Sequence, residues 1–562
     1  MKILLAYKAH AAGSRDPHTS LLPIGLGYIN AVLRKKGFRS RLANLSGFSW
    51  QEAARFIAAE KPSVFGISQF THNRFESLKL ARLVKEQCPD CCIVMGGPHA
   101  SHRYRQLLSQ NRCVDIVVIG EGEKTFSQLI GSLAAGGDTR LGAIKGIAFR
   151  EGTGITVTAP QPPITVLDDL PFPAACFDDA IGVAPRQQLE YIITSRGCPA
   201  SCSFCSSPLF WGKGLRFRSP RSIVDEIRYV RDRYGLIYFS IRDDTFTADR
   251  ERVLEFCRLL LEEKVYILWN CQSRVNAVDD EILAWMKRAG CECVQFGVES
   301  GSMRVLGTLG KRITPEQIRK AAAATRRAGI NLSVYLMTGI PGETDRDLEK
   351  TVELLDGIGA HDGQVSPLAW YPGTRIFAEG VKEGTVGAGL FEESREAALY
   401  VRTDPFVARS TRLLLDGIAR NAEANSFTGE DFRAQKRYLG YCHATNVMAG
   451  EIYESRGRWQ PAEAEYREIT GREPENPWGW LLLGELLAGR GNVREAQHAF
   501  ESLVAIVPAH APGYAALGDL CRERGDLAAA RKQYRKALGL DPHDARAAEG
   551  LDAVDGKKRR NR

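Results

Sequence analysis

The sequence lacks the features of a membrane protein and of a secreted protein held together by disulfides. No apolar run is long enough to cross a bilayer. Residues 1–8 read as a first strand and not as a signal peptide. Fourteen cysteines in 562 residues are too sparse for a disulfide framework, so we expect thiols or ligands in a reducing compartment. We therefore expect a cytoplasmic protein without a membrane span.

The sequence also lacks a strong excess of either charge. The net charge is +8, with 44% apolar and 25% charged residues, as in an ordinary globular protein. A short basic tail, residues 556–562, is read as a solvated end and not as a nucleic-acid arm. At this length we expect three or four domains and no nucleic-acid partner.

A strand followed by three closely spaced cysteines is the most specific feature. An apolar β-branched run ends at Arg196-Gly197, and Cys198, Cys202 and Cys205 follow with the spacing C-x3-C-x2-C. Three thiolates on one loop predict a soft metal centre, but a structural zinc needs four protein ligands. Three ligands leave one iron of a [4Fe–4S] cluster open to an outside ligand. A zinc knuckle with a distant fourth ligand, or three unrelated thiols, remains the alternative.

The first 155 residues alternate strand and helix patterns, which predicts a doubly wound parallel sheet. Ligands of such sheets bind at the carboxyl ends of the strands. Unusual loops stand at three of those predicted ends, and two of them contain glycines. They contain Ser68, Gly96, Gly97, His99, Gly120, Glu121 and Gly122.

Residues 188–390 repeat a strand–helix unit six times, which predicts an open partial barrel with its site at the carboxyl ends of the strands. Polar or glycine-containing motifs follow those strands. They contribute Asp243, Asp244, Arg274, Glu299, Ser300, Gly339 and Pro341.

The cysteine loop resembles the signature of radical S-adenosylmethionine (SAM) enzymes, including the Arg-Gly before Cys198 and Phe204 before the last cysteine. The resemblance implies that the open iron binds SAM, which is cleaved to a 5′-deoxyadenosyl radical. It also implies that Asp243 or Asp244 accepts from the SAM ammonium group, and that Arg274 pairs with the carboxylate. Glu299 with Ser300 would bind the ribose, and Gly339 to Pro341 would lie against adenine. Phe204, before the last cysteine, would also contact SAM.

The first segment resembles the cobalamin-binding domain fused ahead of many radical SAM enzymes. The resemblance rests on residues 23–29 and on the Gly-Gly-Pro-His and Gly-Glu-Gly-Glu turns. It implies that cobalamin lies across the strand ends. The Asp-x-His-x-x-Gly motif that supplies a cobalt ligand in methionine-synthase-like domains is incomplete, since Leu21 stands in place of glycine. We read His18 as an ordinary loop histidine.

A repeat of about 34 residues occupies the C-terminal part. Gly450, Gly484 and Gly518 share one spacing, as do Tyr466, Phe500 and Tyr534. This period is that of the tetratricopeptide repeat, a helix pair per unit. Such arrays usually bind a protein or peptide in a concave groove, but a structural or dimerising role is equally open.

The sequence therefore predicts an α/β multidomain protein. The expected segments are a Rossmann-like cobalamin-binding domain (1–155), a linker (156–187), a partial (β/α)6 radical SAM barrel (188–390), a helical extension (391–440), tetratricopeptide repeats (441–555) and a basic tail (556–562).

The resemblance implies a cobalamin-dependent methyltransferase that acts on an unactivated carbon or phosphorus centre of a small-molecule, lipid or peptide substrate. Its electron donor would be a flavodoxin or ferredoxin. The alternatives are a cyclase, oxidase or rearrangement enzyme with the same cofactors, and a repeat-based scaffold with a degenerate catalytic unit. A methylthiotransferase is disfavoured because no second three-cysteine cluster of the expected kind precedes the barrel and no small β-barrel follows it.

Overall fold

The first domain is a seven-stranded sheet with the order β2-β1-β3-β4-β5-β6-β7. The computed structural model describes residues 1–9, 20–135, 141–212, 214–392 and 400–556, so His18 lies outside the described residues. Strands β1 to β5 are parallel, and β6 and β7 form an antiparallel hairpin at one edge. The strands are β1 (Ile3–Tyr7), β2 (Ser40–Asn44), β3 (Val64–Ser68), β4 (Cys92–Gly96), β5 (Ile116–Val118), β6 (Ile147–Glu151) and β7 (Gly154–Val157).

Helices connect the parallel strands, as the alternating pattern predicts. They are α1 (Ile24–Lys35), α2 (Trp50–Glu60), α3 (Arg74–Gln87), α4 (Pro98–Gln110) and α5 (Gly122–Ala135). The doubly wound sheet is confirmed. Strand β2 and the hairpin were not among the predicted elements, because Ser40–Asn44 is short and half polar, and β7 is largely exposed. Their pairing partners, not their own sequences, make them strands.

The second domain is a six-stranded, wholly parallel sheet with the order β15-β14-β13-β12-β11-β8. This confirms the predicted six-unit partial barrel. Its strands are β8 (Tyr191–Ile192), β11 (Tyr238–Ile241), β12 (Leu268–Ser273), β13 (Cys291–Glu299), β14 (Asn331–Thr338) and β15 (Asp362–Pro367). The helices that follow the linker and run through the barrel are α6 (Pro185–Leu189), α7 (Ser207–Trp211), α8 (Pro220–Tyr234), α9 (Arg250–Glu262), α10 (Asp280–Arg288), α11 (Met303–Thr308), α12 (Pro315–Arg327), α13 (Asp345–Ile358) and α14 (Arg375–Lys382).

The strand that leads to the cysteines is shorter than its apolar run suggests. After β8 the chain leaves the barrel sheet, and β9 (Ser195–Arg196) pairs antiparallel with β10 (Arg216–Phe217). Gly197 follows with φ +94°, and a Cβ there would lie 2.4 Å from the Gly214 carbonyl oxygen. This small two-stranded sheet therefore brackets the cysteine loop at both ends.

A long helix covers the open edge of the barrel. Helix α15 (Pro405–Asn425) packs against β15, where a Cβ on Gly363 would lie 2.9 Å from Ile418 Cδ1. Helix α16 (Gly429–Leu439) follows it. The sequence predicts helices here without a recognisable motif, and in the structure α15 lies against the edge strand β15 of the barrel sheet.

Paired helices complete the chain with the predicted repeat. They are α17 (His443–Ser455), α18 (Trp459–Arg472), α19 (Pro477–Gly489), α20 (Val493–Ile506), α21 (Ala511–Glu523), α22 (Leu527–Leu540) and α23 (Ala545–Val554). A Cβ on Gly450 would lie 2.2 Å from the Tyr466 ring, and one on Gly484 would lie 2.8 Å from Phe500. The small residue in the first helix of each pair therefore admits the aromatic ring of the second.

The helical repeats pack directly against the barrel. Lys287 of α10 is fully buried, with Nζ 2.6 Å from Met448 Sδ of α17. Gly235, after α8, lies so close to the third repeat that a Cβ would be 2.2 Å from the Ala509 carbonyl oxygen. The first and third helix pairs thus both touch the barrel. In the described part of the chain, no helix is both long and apolar enough to cross a membrane.

Candidate active site

One cavity lies between the first sheet and the barrel, and we call it the interdomain cavity. Its volume is about 470 Å³, and its walls are mostly apolar. Gly96 and Gly120 line it from the first domain, and Cys205, Trp211 and Asp244 line it from the barrel. The strand ends of the two sheets therefore open into a shared space.

Six of the seven residues predicted to contact cobalamin line this cavity. They are Ser68, Gly96, Gly97, Gly120, Glu121 and Gly122. His99 is not among the lining residues. It is buried, with Nδ1 3.0 Å from Thr71 Oγ1 and its ring against Phe391. Burial lowers the pKa of His99 to about 3, so the ring is neutral at ordinary pH.

Glycines of the first domain leave space in the interdomain cavity that larger residues at the same positions would occupy. At Gly25 and Gly120, nothing lies within 4 Å of the position that a Cβ would take, so a side chain there would project into open space. At Gly97 (φ +98°) a Cβ would lie 2.7 Å from the Gln69 carbonyl oxygen. A wall of bare backbone fits a large, flat ligand at the sheet edge, as cobalamin would be.

Replacing Gly97 with alanine is expected to destabilise the first domain by at least about 2 kcal/mol, because the left-handed backbone and the contact with Gln69 both oppose a methyl group. The measurement is urea unfolding of purified protein, together with retention of added cobalamin on a desalting column. Gly131 of α5 is the matched control, since a Cβ there meets nothing within 4 Å. Equal stability of the two variants would contradict the strain at Gly97.

Backbone hydrogen bonds hold the cysteine loop on the barrel. Ser203 N–H donates to the Leu309 carbonyl (2.8 Å), and Ile376 N–H donates to the Ser203 carbonyl (3.0 Å). The Ser203 hydroxyl donates to the Thr308 carbonyl (2.9 Å). These three hydrogen bonds hold the loop without involving a cysteine side chain.

The three cysteines fit a cluster better than a single ion. Among the described residues, no three Cys, His, Asp or Glu side chains converge closely enough to hold one metal ion. In a four-iron cluster each thiolate binds a different iron, so its ligands do not have to converge on one point. Burial raises the pKa of the Cys205 thiol to about 12, and the positive charge of a bound metal centre would favour the thiolate there.

The two adjacent aspartates have different surroundings. Asp243 is fully buried and accepts hydrogen bonds from Thr194 N–H (2.6 Å), the Thr194 hydroxyl (2.5 Å) and Ser195 N–H (3.0 Å). Asp244 lines the interdomain cavity, where the Ser207 hydroxyl donates to it. Burial raises the pKa of Asp244. Asp243 thus fixes the backbone of Thr194 and Ser195, ahead of the cysteines. Asp244 is the carboxylate that is available to a ligand.

Glu299 ends β13 in a left-handed conformation, with φ +65°. Its Oε1 accepts from Lys311 Nζ at 2.6 Å, and both side chains are more than 90% buried. The neighbouring Ser300 is fully buried, with its hydroxyl 3.0 Å from Thr351 Oγ1. Lys311 therefore holds the Glu299 carboxylate in place. The Ser300 hydroxyl instead contacts Thr351.

A tight turn follows β14. Gly339 has φ +77°, and its N–H donates to Glu343 Oε2 at 2.6 Å. Phe204 of the cysteine loop packs in the same apolar cluster as Ile340. The half-buried Pro341 follows Ile340, so this turn and the cysteine loop are neighbours.

Arg274 lies beside the cysteines. Its Nη2 donates to the Lys311 carbonyl (2.8 Å), and its Nη1 lies 3.8 Å from Cys202 Sγ. The guanidinium group is therefore held where one of the cluster ligands would carry negative charge.

A buried ion-pair cluster joins the two domains, and sequence analysis did not assign it a role. Arg196 Nη2 donates to Glu123 Oε1 at 2.5 Å, and Nη1 lies 3.5 Å from Glu121 Oε1. Arg216 also donates to Glu121. Arg196 lies over the rings of Tyr28 (5.4 Å) and Trp211 (5.2 Å). The sequence hints at this cluster only through the Arg-Gly step before the cysteines and the two glutamates of the Gly-Glu-Gly-Glu turn. Arg196 and Glu123 are 73 residues apart in the chain, so their pairing cannot be read from local patterns.

Three family models match consecutive parts of the chain. The model of the B12 binding domain matches residues 16–130, that of the Radical SAM superfamily matches residues 192–355, and that of the tetratricopeptide repeat matches residues 481–545. The first match lies within the first domain, the second within the barrel, and the third within the helical repeats.

Similar proteins match more of the chain than any one family model does. An uncharacterized methyltransferase of Pyrococcus horikoshii is 30% identical over 465 residues, covering 81% of this chain and 96% of that protein. An anaerobic magnesium-protoporphyrin IX monomethyl ester cyclase of Rubrivivax gelatinosus is 27% identical, covering 63% and 65%. The structure of the radical SAM methyltransferase TsrM from Kitasatospora setae, with tryptophan and a SAM analogue bound, has a TM-score of 0.59 at 18% identity and covers 77% and 90%.

Proposed function

Because this chain belongs to the radical SAM superfamily and carries a B12 binding domain ahead of its barrel, we propose that it is a cobalamin-dependent radical SAM methyltransferase that acts on an unactivated carbon or phosphorus centre. The observation that carries the proposal is the interdomain cavity, which Gly96 and Gly120 reach from one side and Cys205 and Asp244 from the other. A substrate in that cavity lies between both cofactor sites.

When bound, the cluster with SAM supplies one-electron chemistry that can abstract hydrogen, and cobalamin supplies a transferable methyl group. The chain's own residues bind and orient. Cys198, Cys202 and Cys205 hold the cluster. Asp244, and not the fully bonded Asp243, accepts hydrogen bonds from the SAM ammonium group.

Further proposed contacts follow the strand ends. Arg274 has donors left for the SAM carboxylate beside Cys202, as its Nη2 alone is bonded to backbone. Glu299, fixed by Lys311, accepts from the ribose hydroxyls. The turn at Gly339 and Pro341, held by Glu343, offers backbone to adenine. Ser300, next to Glu299 at the same strand end, stays a proposed SAM contact, and its hydroxyl lies 3.0 Å from Thr351 Oγ1.

The walls of the interdomain cavity keep water away from reactive species. Phe70, Phe126, Phe210 and Trp211 line it, and few polar groups interrupt them. Exclusion of water protects a radical from quenching and leaves positioning as the protein's main contribution. The proposed substrate is a small molecule, a lipid or a peptide, and the repeats are the proposed contact for a protein partner.

The similarity to an anaerobic cyclase favours a second candidate. Such an enzyme would use the same cofactors for a ring closure without methyl transfer. The residues proposed to bind SAM are suited to both reactions, so methyl transfer and ring closure have to be distinguished by their products.

The test is anaerobic incubation of reconstituted protein with methyl-deuterated SAM, a reductant and a cell extract as the substrate source. A methyltransferase forms both S-adenosylhomocysteine and 5′-deoxyadenosine, and transfers the label to a product. A cyclase forms 5′-deoxyadenosine without S-adenosylhomocysteine. Absence of both nucleoside products would support the scaffold alternative and contradict the proposal. About four irons and one cobalt per chain are expected in the protein used.

A further inference from the structure

A second, smaller cavity lies beside the cysteine loop and shares no lining residue with the interdomain cavity. Its volume is about 270 Å³. Residues 199–201 of the cysteine loop form one wall, and Arg274 and residues 310–312 form another. Pro199 and Ser201 are exposed. The cysteine loop therefore faces the interdomain cavity at Cys205 and reaches the protein surface between Cys198 and Cys202.

Positive charge surrounds this surface part of the loop. Arg274, Lys311 and Arg312 line the second cavity, and none of its described lining residues is acidic. Lys311 is neutralised by Glu299, but Arg312 is exposed and makes no hydrogen bond or ion pair within the described ranges. Arg312 also has φ +48°, which turns the chain sharply at this point.

Arg375 extends the positive surface next to the loop. A Cβ on Gly310 would lie 3.0 Å from Arg375 Nη2 and 3.5 Å from the Ser201 carbonyl oxygen. The Arg375 guanidinium therefore lies next to the loop. Its side chain is 58% exposed and meets Glu379 only at 3.6 Å. Arg312 and Arg375 thus both lie beside the exposed turn, and we call Pro199–Ser201 with these two arginines the loop-side surface.

We infer that the loop-side surface is the docking site of an acidic one-electron carrier protein. The inference rests on the proposed function, because SAM cleavage consumes one electron per event. That electron passes from the reduced carrier to the cluster, so the carrier is oxidised by one electron and the cluster is reduced by one. A donor has to approach closely for this transfer, and the exposed turn offers the approach.

The charge of the surface sets the kind of partner. Fixed positive charges attract an acidic protein over about a Debye length and raise its association rate. They also orient it, since a mismatched face would meet repulsion. The interdomain cavity offers no such approach, because its walls are mostly apolar and its arginine, Arg196, is buried against Glu123.

The test measures reduction of the cluster and not turnover. Full-length protein with its cluster is mixed anaerobically with flavodoxin hydroquinone in a stopped-flow instrument, and the bleaching of the cluster absorbance is followed. The Arg312→Glu/Arg375→Glu variant is expected to lower the second-order rate constant at least about tenfold at low salt, and to flatten its dependence on ionic strength. Reduction by photoreduced deazaflavin, an uncharged small reductant, is expected to stay unchanged.

Two further variants complete the design. Arg535→Glu places the same charge change on an exposed residue of α22, away from the loop, and is expected to react as the wild type does. Arg312→Gln/Arg375→Gln is expected to show an intermediate rate. Equal rates for the wild type and the Arg312→Glu/Arg375→Glu variant, or equal slowing by Arg535→Glu, would overturn the docking site. Failure of wild-type protein to bind iron would instead refute the proposed function, and the docking site with it.

Discussion

Replacing Cys202 with alanine is expected to abolish the cluster, lowering iron from about four to below about one per chain. The loop supplies three thiolates, and the removal of one leaves a single pair on the same loop. SAM cleavage is expected to fall to background, since no open iron would then hold SAM. The measurement is iron content and visible absorbance after anaerobic reconstitution, with 5′-deoxyadenosine formation as the second readout.

The fold should survive this change. Cys202 is half-buried, and Ser203 holds the loop through its own backbone and hydroxyl group. Circular dichroism and unfolding midpoint are therefore expected to match those of the parent. Cys521→Ala in the repeats is the control with the same chemistry, and it should keep the full iron content. A Cys202→Ala protein that still binds four irons and cleaves SAM would show that these cysteines are not the cluster ligands.

Local sequence patterns predicted much of this architecture. The cysteine spacing, the six strand–helix units and the 34-residue repeat each depend on residues near one another in the chain, so the sequence displays them directly. The turns at Gly96 and Gly120 were predictable for a related reason. In a parallel sheet the carboxyl ends of the strands share an edge, so turns distant in sequence meet in space.

What the sequence did not reveal depends on contacts between distant segments. Asp243 and Asp244 are chemically identical neighbours, and only the position of Thr194, 49 residues earlier, separates their surroundings. Lys287 reads as a surface lysine of an amphipathic helix until α17 covers it. The role of Arg196 likewise requires Glu123 from another domain. In each case the role of the residue depends on a contact with a distant residue, which composition and periodicity do not predict.

Replacing Arg196 with methionine is expected to destabilise the junction of the two domains by about 3–5 kcal/mol, because it leaves the Glu123 carboxylate buried without its cation. Arg196 and Glu123 are each only 5% exposed in their side chains, so water cannot screen the loss. Burial alone would lower the pKa of Arg196, but Glu123 and Glu121 raise it, which keeps the guanidinium charged. The expected result is a lower urea midpoint and faster proteolysis between the first sheet and the barrel.

The same variant should also retain cobalamin less well, because Glu121, Gly122 and Glu123 line the interdomain cavity. Asp179→Asn is the matched control. It breaks a surface pair with Arg34 at 2.6 Å, in which the side chains are 30% and 46% exposed, and should cost at most about 1 kcal/mol. Adding Glu123→Met to Arg196→Met removes the stranded carboxylate and should recover most of the loss. If the double variant is no more stable than Arg196→Met, the penalty comes from lost contacts with Tyr28 and Trp211 and not from charge, and the ion pair does not hold the domains together.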